Sequence, residues 1–228
     1  NNKNLLKILK KNFTFIKKIN KLNYVKEKFD YATDYNKKSE FYKIELKKRI
    51  NILSKSPFYK NNLKFKNVLD KINFKFKLLV KNKYFEKFFD LKDSELILSP
   101  CDFHFNNMII NDKIYYIDFE YSGLDDPAKL YSVYFLQPNF DFDFDLFCRE
   151  ISRLLFFGIN NKKILNRIYY LSPINYLRWS LIILNQFMKK KFLLLQEVNS
   201  KTQIQQINKT ELYLKNNIKY FDLYKMFI

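Results

Sequence analysis

Apolar residues recur at spacings of three and four over most of the chain, and this periodicity constrains the fold more than any other feature. Such spacing places the apolar side chains on one face of an α-helix. It predicts helices over about residues 1–20, from Glu40 to Ser54 and from Asn62 to Phe89. The second of these should stop before Pro57, because proline disfavours a helical conformation in the preceding residue. The first ninety residues are therefore predicted to be all-α.

The second half of the chain carries further helical patterns. We predict helices from Leu130 to Leu136, Asp145 to Phe157, Tyr176 to Met188 and Thr210 to Tyr224. The third of these is apolar nearly all round, which is typical of a helix buried in the centre of a domain. No fixed-period repeat and no Gly/Pro/Ser-rich linker divides the sequence, and 47% of its 228 residues are hydrophobic. We therefore predict a single domain over residues 1–228 with a large core.

Between the two helical regions the pattern changes to short extended runs. Glu95–Leu98 is predicted to be a strand that ends before a proline, and Met108–Ile110 and Lys113–Phe119 flank an Asn-Asp turn. Turn residues between β-branched or aromatic runs indicate a β-hairpin. Residues 122–127 are predicted to form a loop. The predicted fold is mainly α, and α+β overall, with a small β-hairpin in its middle.

The segment that holds this hairpin is unusually acidic. The chain has 42 basic and 23 acidic residues, yet this segment contains one lysine, Lys113, among six carboxylates, at Asp102, Asp112, Asp118, Glu120, Asp125 and Asp126. Oxygen ligands suit Mg²⁺, which proteins hold through one or two carboxylates together with substrate phosphates. The segment is therefore the predicted site of metal-dependent chemistry.

Three residues of this segment have the spacing that phosphoryl transfer requires. Asp102 follows the predicted strand, Asn107 enters the hairpin, and Asp118 ends its second strand, so the three side chains can converge. Phosphoryl transfer needs one carboxylate to orient and deprotonate the acceptor hydroxyl, and an amide and a carboxylate to hold Mg²⁺ on the phosphates. Taken singly, each residue is also typical of a loop or a strand end, and only their joint spacing points to catalysis.

The segments LSPCDFHFNN, YYIDFEYSG and DDPAKL resemble the aminoglycoside phosphotransferase and choline kinase-like family, which has the protein-kinase-like fold. In that family a D-x4-N catalytic loop precedes a metal-binding hairpin that ends in I-D-F-E. The segments look most like a bacterial branch whose catalytic loop begins with Ser-Pro. The resemblance covers about residues 12–217 and is sharpest between Leu98 and Leu136. It implies the C-terminal lobe of a kinase, with the catalytic loop and the metal hairpin in residues 96–127.

The resemblance implies ATP and Mg²⁺ as cofactors and gives roles to single residues. Asp102 would be the catalytic base, and Asn107 and Asp118 would be the Mg²⁺ ligands. Glu120 replaces the glycine of the protein-kinase DFG triplet. Asp126 matches the family's DPA segment and would brace the loop.

Two positions near the base are less clearly assigned. His104, the single histidine, is either a residue of the loop or a group that contacts substrate. Pro100 occupies the position at which the family usually has a histidine. Other residues must then brace the backbone of the catalytic loop.

In this fold a β-rich N-terminal lobe with a glycine-rich loop covers the nucleotide, and no such segment precedes the helices. The chain also begins with Asn1 rather than Met. We expect it to be one lobe of a longer polypeptide and to be inactive alone. The expected acceptor is a small-molecule alcohol such as an amino alcohol, a sugar or an aminoglycoside-like compound.

The charge of the acceptor depends on how the acidic residues at 141, 143 and 145 are interpreted. They either favour the dipole at a helix N-terminus or, with Glu120, form an acidic wall that suits a cationic acceptor. Two other functions remain open, namely a pseudokinase or binding module that keeps the fold without the reaction, and a basic helical nucleic-acid-binding protein.

The bulk composition bears on partners and location. The net charge is +19, but the lysines occur singly or in short runs throughout, which favours a solvated basic surface over a polyanion site. Nucleic acid is therefore not an expected partner. Two cysteines, no apolar run of about 18 residues and no signal-peptide core predict a cytoplasmic protein with no membrane partner.

Overall fold

A computed structural model of the protein describes residues 2–21, 28–35, 38–87, 90–140, 142–154, 161–188 and 200–228. These residues are mainly helical and include two small antiparallel sheets, which confirms the predicted fold class. The chain divides into two compact units, of which the first is Asn1–Lys37 with Asp90–Ile168 and the second is Lys38–Phe89 with Tyr169–Ile228. The single domain over residues 1–228 stays a prediction.

The helices and strands have the following bounds. The helices are α1 (Asn2–Lys21), α2 (Ser39–Ser54), α3 (Pro57–Asn61), α4 (Leu63–Lys81), α5 (Pro127–Phe135), α6 (Phe144–Leu154), α7 (Asn161–Ile183), α8 (Ser200–Asn216) and α9 (Ile218–Asp222). The strands are β1 (Ile97–Ser99), β2 (Met108–Ile110), β3 (Ile114–Tyr116) and β4 (Gly123–Asp125). The boundary between the two units falls within α7.

Helix α1 follows its sequence pattern and supports the sheets of the first unit. Leu9, Phe13 and Ile16 form its buried face. At its C-terminal end the carboxamide of Asn20 donates to the backbone oxygen of Leu98 (2.9 Å) and accepts from the Leu98 amide (2.8 Å). One side chain therefore joins α1 to the backbone of β1.

The two small sheets organise the middle of the chain. The hairpin of β2 and β3 is confirmed, although its turn holds three residues, 111–113, and its second strand is shorter than predicted. The predicted strand Glu95–Leu98 begins two residues too early, because Asp93–Glu95 is a short 3-10 helix. The loop predicted over residues 122–127 was wrong, since Gly123–Asp125 pairs with β1. A strand of three residues is too short to show the alternation of apolar and polar residues that predicts a strand, and its partner strand is distant in the sequence.

Several predicted helices have different bounds in the structure. The predicted helix to Phe89 ends at Lys81, because Lys83 has a left-handed φ of 51° and a 3-10 turn follows. The predicted helix Tyr176–Met188 starts inside the longer α7, which contains Pro173 in its interior and ends at Ile183, and Asn185–Phe187 is a separate 3-10 helix. Proline removes one hydrogen bond, but α7 is buried on most sides, so packing outweighs that loss. The last predicted helix is divided between α8, α9 and a short 3-10 helix.

The prediction over Asp145–Phe157 corresponds to α6, and its last residues lie outside the described part.

The second unit is a helical scaffold whose centre is a pair of tyrosines. The rings of Tyr84 and Tyr170 stack with their centroids 4.5 Å apart. Each hydroxyl donates to the other residue's backbone oxygen, at 2.6 and 2.7 Å. Burial raises the pKa of Tyr84 well above its usual value.

None of the helices that the structure describes has both the length and the apolar character that a membrane span requires.

Candidate functional site

Residues 99–107 form a tight loop between β1 and β2 in the first unit. The Ser99 hydroxyl accepts from the Cys101 amide (3.1 Å), and the Asp102 amide donates to the Pro100 oxygen (2.9 Å). Cys101 has a left-handed φ of 63°, which is uncommon for a residue with a side chain. The turn leaves the Asp102 side chain half-buried at the bend.

Asn107 connects the loop to the hairpin. Its side-chain Nδ2 donates to the backbone oxygen of Asp102 (3.0 Å), so its Oδ1 remains an acceptor. Its backbone oxygen accepts from the amide of Ile117 (3.1 Å), the residue that precedes Asp118. The structure thus brings Asp102, Asn107 and Asp118 together, as their spacing predicts.

Asp118 has an unusual backbone conformation. Asp118 was predicted to end the second strand of the hairpin. Instead, it follows the end of β3 by two residues, and it is exposed. Its φ of 65° is left-handed, a conformation that costs about 1–3 kcal/mol for a residue with a side chain and recurs at functional sites. Asp118 adopts this costly conformation directly after Ile117, the residue whose amide donates to the Asn107 backbone oxygen.

A negative field surrounds Tyr121. A hydrogen bond to the Glu120 carboxylate raises the pKa of Tyr121, and the charges of Glu120, Asp102 and Asp118 act in the same direction. Among the residues that the structure describes, no lysine or arginine forms an ion pair with these three carboxylates. Carboxylates that share a region repel one another and favour a bound cation.

A buried charged layer follows this site in the chain. Lys129 Nζ lies 2.9 Å from Asp125 Oδ2, and both side chains are buried. Asp126 accepts from the Ala128 amide (2.8 Å), which caps α5, and from Arg167 Nε (3.0 Å). Burial raises the pKa of Asp125, and the attraction of Lys129 opposes that rise. Asp126 thus joins the start of α5 to α7.

The side chains of Gln137 and Lys129 contact the loop of residues 99–107. The side-chain oxygen of Gln137 accepts from the Phe105 amide (3.0 Å), and its nitrogen donates to the Tyr134 oxygen (2.7 Å). Lys129 Nζ is 3.9 Å from the Cys101 sulfur. Neither of these contacts was predicted from the sequence.

Asn12 fixes the hairpin to α1. This fully buried side chain donates to the Tyr134 hydroxyl (2.7 Å) and accepts from the Tyr116 hydroxyl (3.0 Å). Tyr116 lies on β3, two residues before Asp118. The position of the hairpin is therefore set by a polar side chain that was not predicted from the sequence.

The remaining candidate residues occupy modest positions. His104 is half-buried, and its backbone amide and oxygen both take part in the loop. Burial raises the pKa of the Cys101 thiol to about 11, so it carries little thiolate. Asp141 lies outside the described residues, whereas Asp143 accepts from the Asp145 amide (3.2 Å) at the start of α6. That bond agrees with a helix-terminus role for Asp143.

The donor set fits a metal that shares its ligands with a substrate. In the described ranges, no three His, Cys, Asp or Glu side chains are grouped so that they could hold a metal ion. Mg²⁺ rarely needs such a cage, because it keeps several waters and takes phosphate oxygens as ligands. One carboxylate from Asp118 and one amide oxygen from Asn107 meet that requirement.

Comparisons with known proteins give a likeness in structure. No protein-family model matches the sequence, and no curated protein sequence matches it. The choline kinase from Cryptosporidium parvum Iowa II is similar in structure, with a TM-score of 0.52 and 15% sequence identity. The match covers 92% of this chain and 64% of that kinase, so this chain spans less than two thirds of the kinase's length. The likeness confirms the predicted protein-kinase-like fold, and the bacterial branch stays a prediction.

Proposed function

We propose that this chain is the catalytic lobe of an ATP-dependent phosphotransferase that acts on the hydroxyl group of a small molecule. The observation that carries the proposal is the bond from Asn107 Nδ2 to the backbone oxygen of Asp102. It joins the candidate base to a candidate metal ligand. The backbone bond from Ile117 to Asn107 then brings Asp118, the second ligand, to the same place.

Each residue has one task in this proposal. Asp102 orients the acceptor hydroxyl and takes its proton. Asn107 Oδ1 and the Asp118 carboxylate hold Mg²⁺, which neutralises charge on the transferred phosphate and on the leaving group. Asn107 also fixes the backbone of Asp102, so that the base and the metal ligands keep a constant separation.

The hairpin offers a surface for the nucleotide and for a second lobe. Ile109 and Tyr115 lie opposite each other in the hairpin and are 54% and 56% exposed, and Ile117 is 43% exposed. Apolar residues in one exposed patch favour a bound ligand or partner. We propose that the nucleotide base and an upstream lobe of the same polypeptide cover this patch.

The acceptor is proposed to be a cationic alcohol, such as an amino alcohol or an aminoglycoside-like compound. Glu120 and Asp102 both act on the hydroxyl of Tyr121 through their negative charges. A positively charged acceptor would be attracted to the same region. A neutral sugar lacks this attraction and is the less favoured acceptor.

The test is Asp102→Ala in the protein that carries this chain together with its nucleotide-binding lobe. Nucleotide consumption is first screened against amino alcohols, sugars and aminoglycosides. With the best acceptor, we expect turnover to fall by about 10²–10⁴-fold, because the base is lost, while the melting temperature stays unchanged. Asp112→Ala, at an exposed position in the hairpin turn, is the matched control.

The outcomes separate the proposal from its rivals. Near-normal turnover in Asp102→Ala would exclude Asp102 as the base. Binding of Mg-ATP without consumption by any acceptor would favour a pseudokinase or binding module.

A further inference from the structure

The solvent face of α1 is strongly basic. The helix contains seven lysines and no aspartate or glutamate. Lys7, Lys10, Lys11 and Lys18 lie three, four and eleven residues apart, which places them on one helical face. That face is opposite the buried face of Leu9, Phe13 and Ile16. The lysines that looked dispersed in the sequence are therefore gathered on one side of this helix.

The same face borders an open groove between α1 and the hairpin. The groove has a volume of about 450 Å³, and its lining includes these four lysines and Lys113 from the hairpin turn. Its apolar side is formed by Phe15, Ile114 and Tyr116. The nearest acid in sequence, Asp112, does not line the groove.

The aromatic side of the groove is fixed in place. The rings of Phe15 and Tyr116 stack with their centroids 4.0 Å apart and their planes 14° apart. The hydroxyl of Tyr116 is held by the buried Asn12 (3.0 Å). The groove thus has a rigid apolar wall and a rim of long basic side chains.

Five ammonium groups around one concave site repel one another, and a bound anion relieves that repulsion. Each ammonium is a point charge with three donor hydrogens, a group that binds phosphate oxygens well. Among the residues that the structure describes, no carboxylate lines the groove to compete for them. The chemistry therefore suits an anion with several phosphate groups.

We propose that this groove binds a compact, soluble anion that carries several phosphate groups, at a site separate from the candidate active site. A small ligand fits better than a nucleic acid, because the lysines come from two elements around one concavity. The volume also falls in the range of small-molecule sites, about 300–1,000 Å³. This inference does not depend on the proposed phosphotransferase activity.

The test is a calorimetric titration of the full chain with inorganic triphosphate, in EDTA so that no divalent cation is present. We expect saturable binding at one site. Lys10→Gln with Lys11→Gln should raise Kd about tenfold or more, because two charge-assisted contacts are lost. Lys47→Gln with Lys48→Gln is the matched control, since it removes two charges from another exposed pair of neighbouring lysines. The control should change Kd less than about twofold.

A second variant and a second ligand complete the design. Asp118→Asn should leave triphosphate binding unchanged. Because the Asp118 carboxylate repels an anion when no metal is present, tighter binding by Asp118→Asn would place the anion in the candidate active site and overturn the proposal. Equal weakening by both lysine pairs, or no saturable binding, would do the same. The same lysine variant is also titrated with a single-stranded RNA. If Lys10→Gln with Lys11→Gln weakens RNA binding more than triphosphate binding, the groove is a nucleic-acid surface instead.

Discussion

Two neighbouring groups of carboxylates in the first unit have opposite surroundings. Asp118 and Glu120 are exposed and, among the described residues, form no ion pair, whereas Asp125 and Asp126 are 1% and 2% exposed and each has a buried cation. A buried carboxylate persists only with a partner. The difference indicates that the second group holds the structure together, while the charges of the first remain available to a cation from solution.

The largest expected effect is on the buried group. Arg167→Met should lower the free energy of unfolding by about 3–5 kcal/mol, because it leaves the Asp126 carboxylate buried without its cation. Urea unfolding at neutral pH measures this loss. Lys43→Met, which removes an exposed ion pair with Glu40, should cost less than about 1 kcal/mol.

A double variant distinguishes lost packing from lost charge. Adding Asp126→Asn to Arg167→Met should restore part of the stability, because no unpaired charge remains. If the double variant is no more stable than Arg167→Met, the ion pair is not the cause of the loss.

The exposed group should respond in the opposite way. In the proposed phosphotransferase, Asp118→Asn should lower turnover by about 10²–10³-fold, because a proposed metal-binding charge is lost. Its free energy of unfolding should change by less than about 0.5 kcal/mol, since the side chain is exposed and asparagine tolerates a left-handed φ. Steady-state rates and thermal unfolding on the same sample measure both. A large loss of stability would end the distinction between the two groups.

Gly123 tests the support beneath the buried group. A Cβ at this position would lie 2.6 Å from the Ala32 amide nitrogen and from the Asp30 oxygen, which are backbone atoms that pair with β4 through Leu124. Gly123→Ala should therefore cost about 1–3 kcal/mol as an overpacked site. Ser122→Ala, at the exposed neighbouring position, should have little effect. Chemical denaturation of both variants provides the comparison.

The smallest effect concerns Glu95, whose burial is intermediate between the two groups. Hydrogen bonding from Lys163 is the main cause that lowers the pKa of Glu95 below its usual 4.5. The ion pair therefore adds stability above pH 4.5, and this contribution is lost as the pH falls through the lowered pKa. Lys163→Met should be less stable than the parent at pH 7 by no more than about 1 kcal/mol, because both groups are partly exposed.

The pH dependence is read from urea unfolding at pH 7 and at pH 3. The difference between Lys163→Met and the parent should shrink from pH 7 to pH 3, as the pH falls towards and through the lowered pKa of Glu95. A difference of the same size at both pH values would assign the effect to packing.

What the sequence predicts and what it does not depends on the range of each interaction. Helices such as α1 and α2 follow from spacings of three and four, and the grouping of Asp102, Asn107 and Asp118 follows from a short loop and a hairpin. By contrast, β4 pairs with a distant strand. Nothing in the local pattern identifies such a partner.

The residues that position the site were missed for the same reason. Gln137 acts on Phe105, 32 residues earlier, and Arg167 acts on Asp126, 41 residues earlier. Asn12 contacts Tyr134, 122 residues away. A polar residue in a helix or a loop gives no sign of such a partner until the chain is folded.

The buried thiol of Cys101 can report when the loop of residues 99–107 opens. With a pKa of about 11, roughly 0.1% of this thiol is ionised at pH 8, and its burial shields it from reagents. A labelling reaction at Cys101 therefore waits for residues 99–107 to open. Cys148 is the other cysteine. Cys148→Ser therefore leaves Cys101 as the single labelling site, and its labelling rate measures how often the loop opens. A nucleotide that holds the loop closed should lower the labelling rate of Cys101.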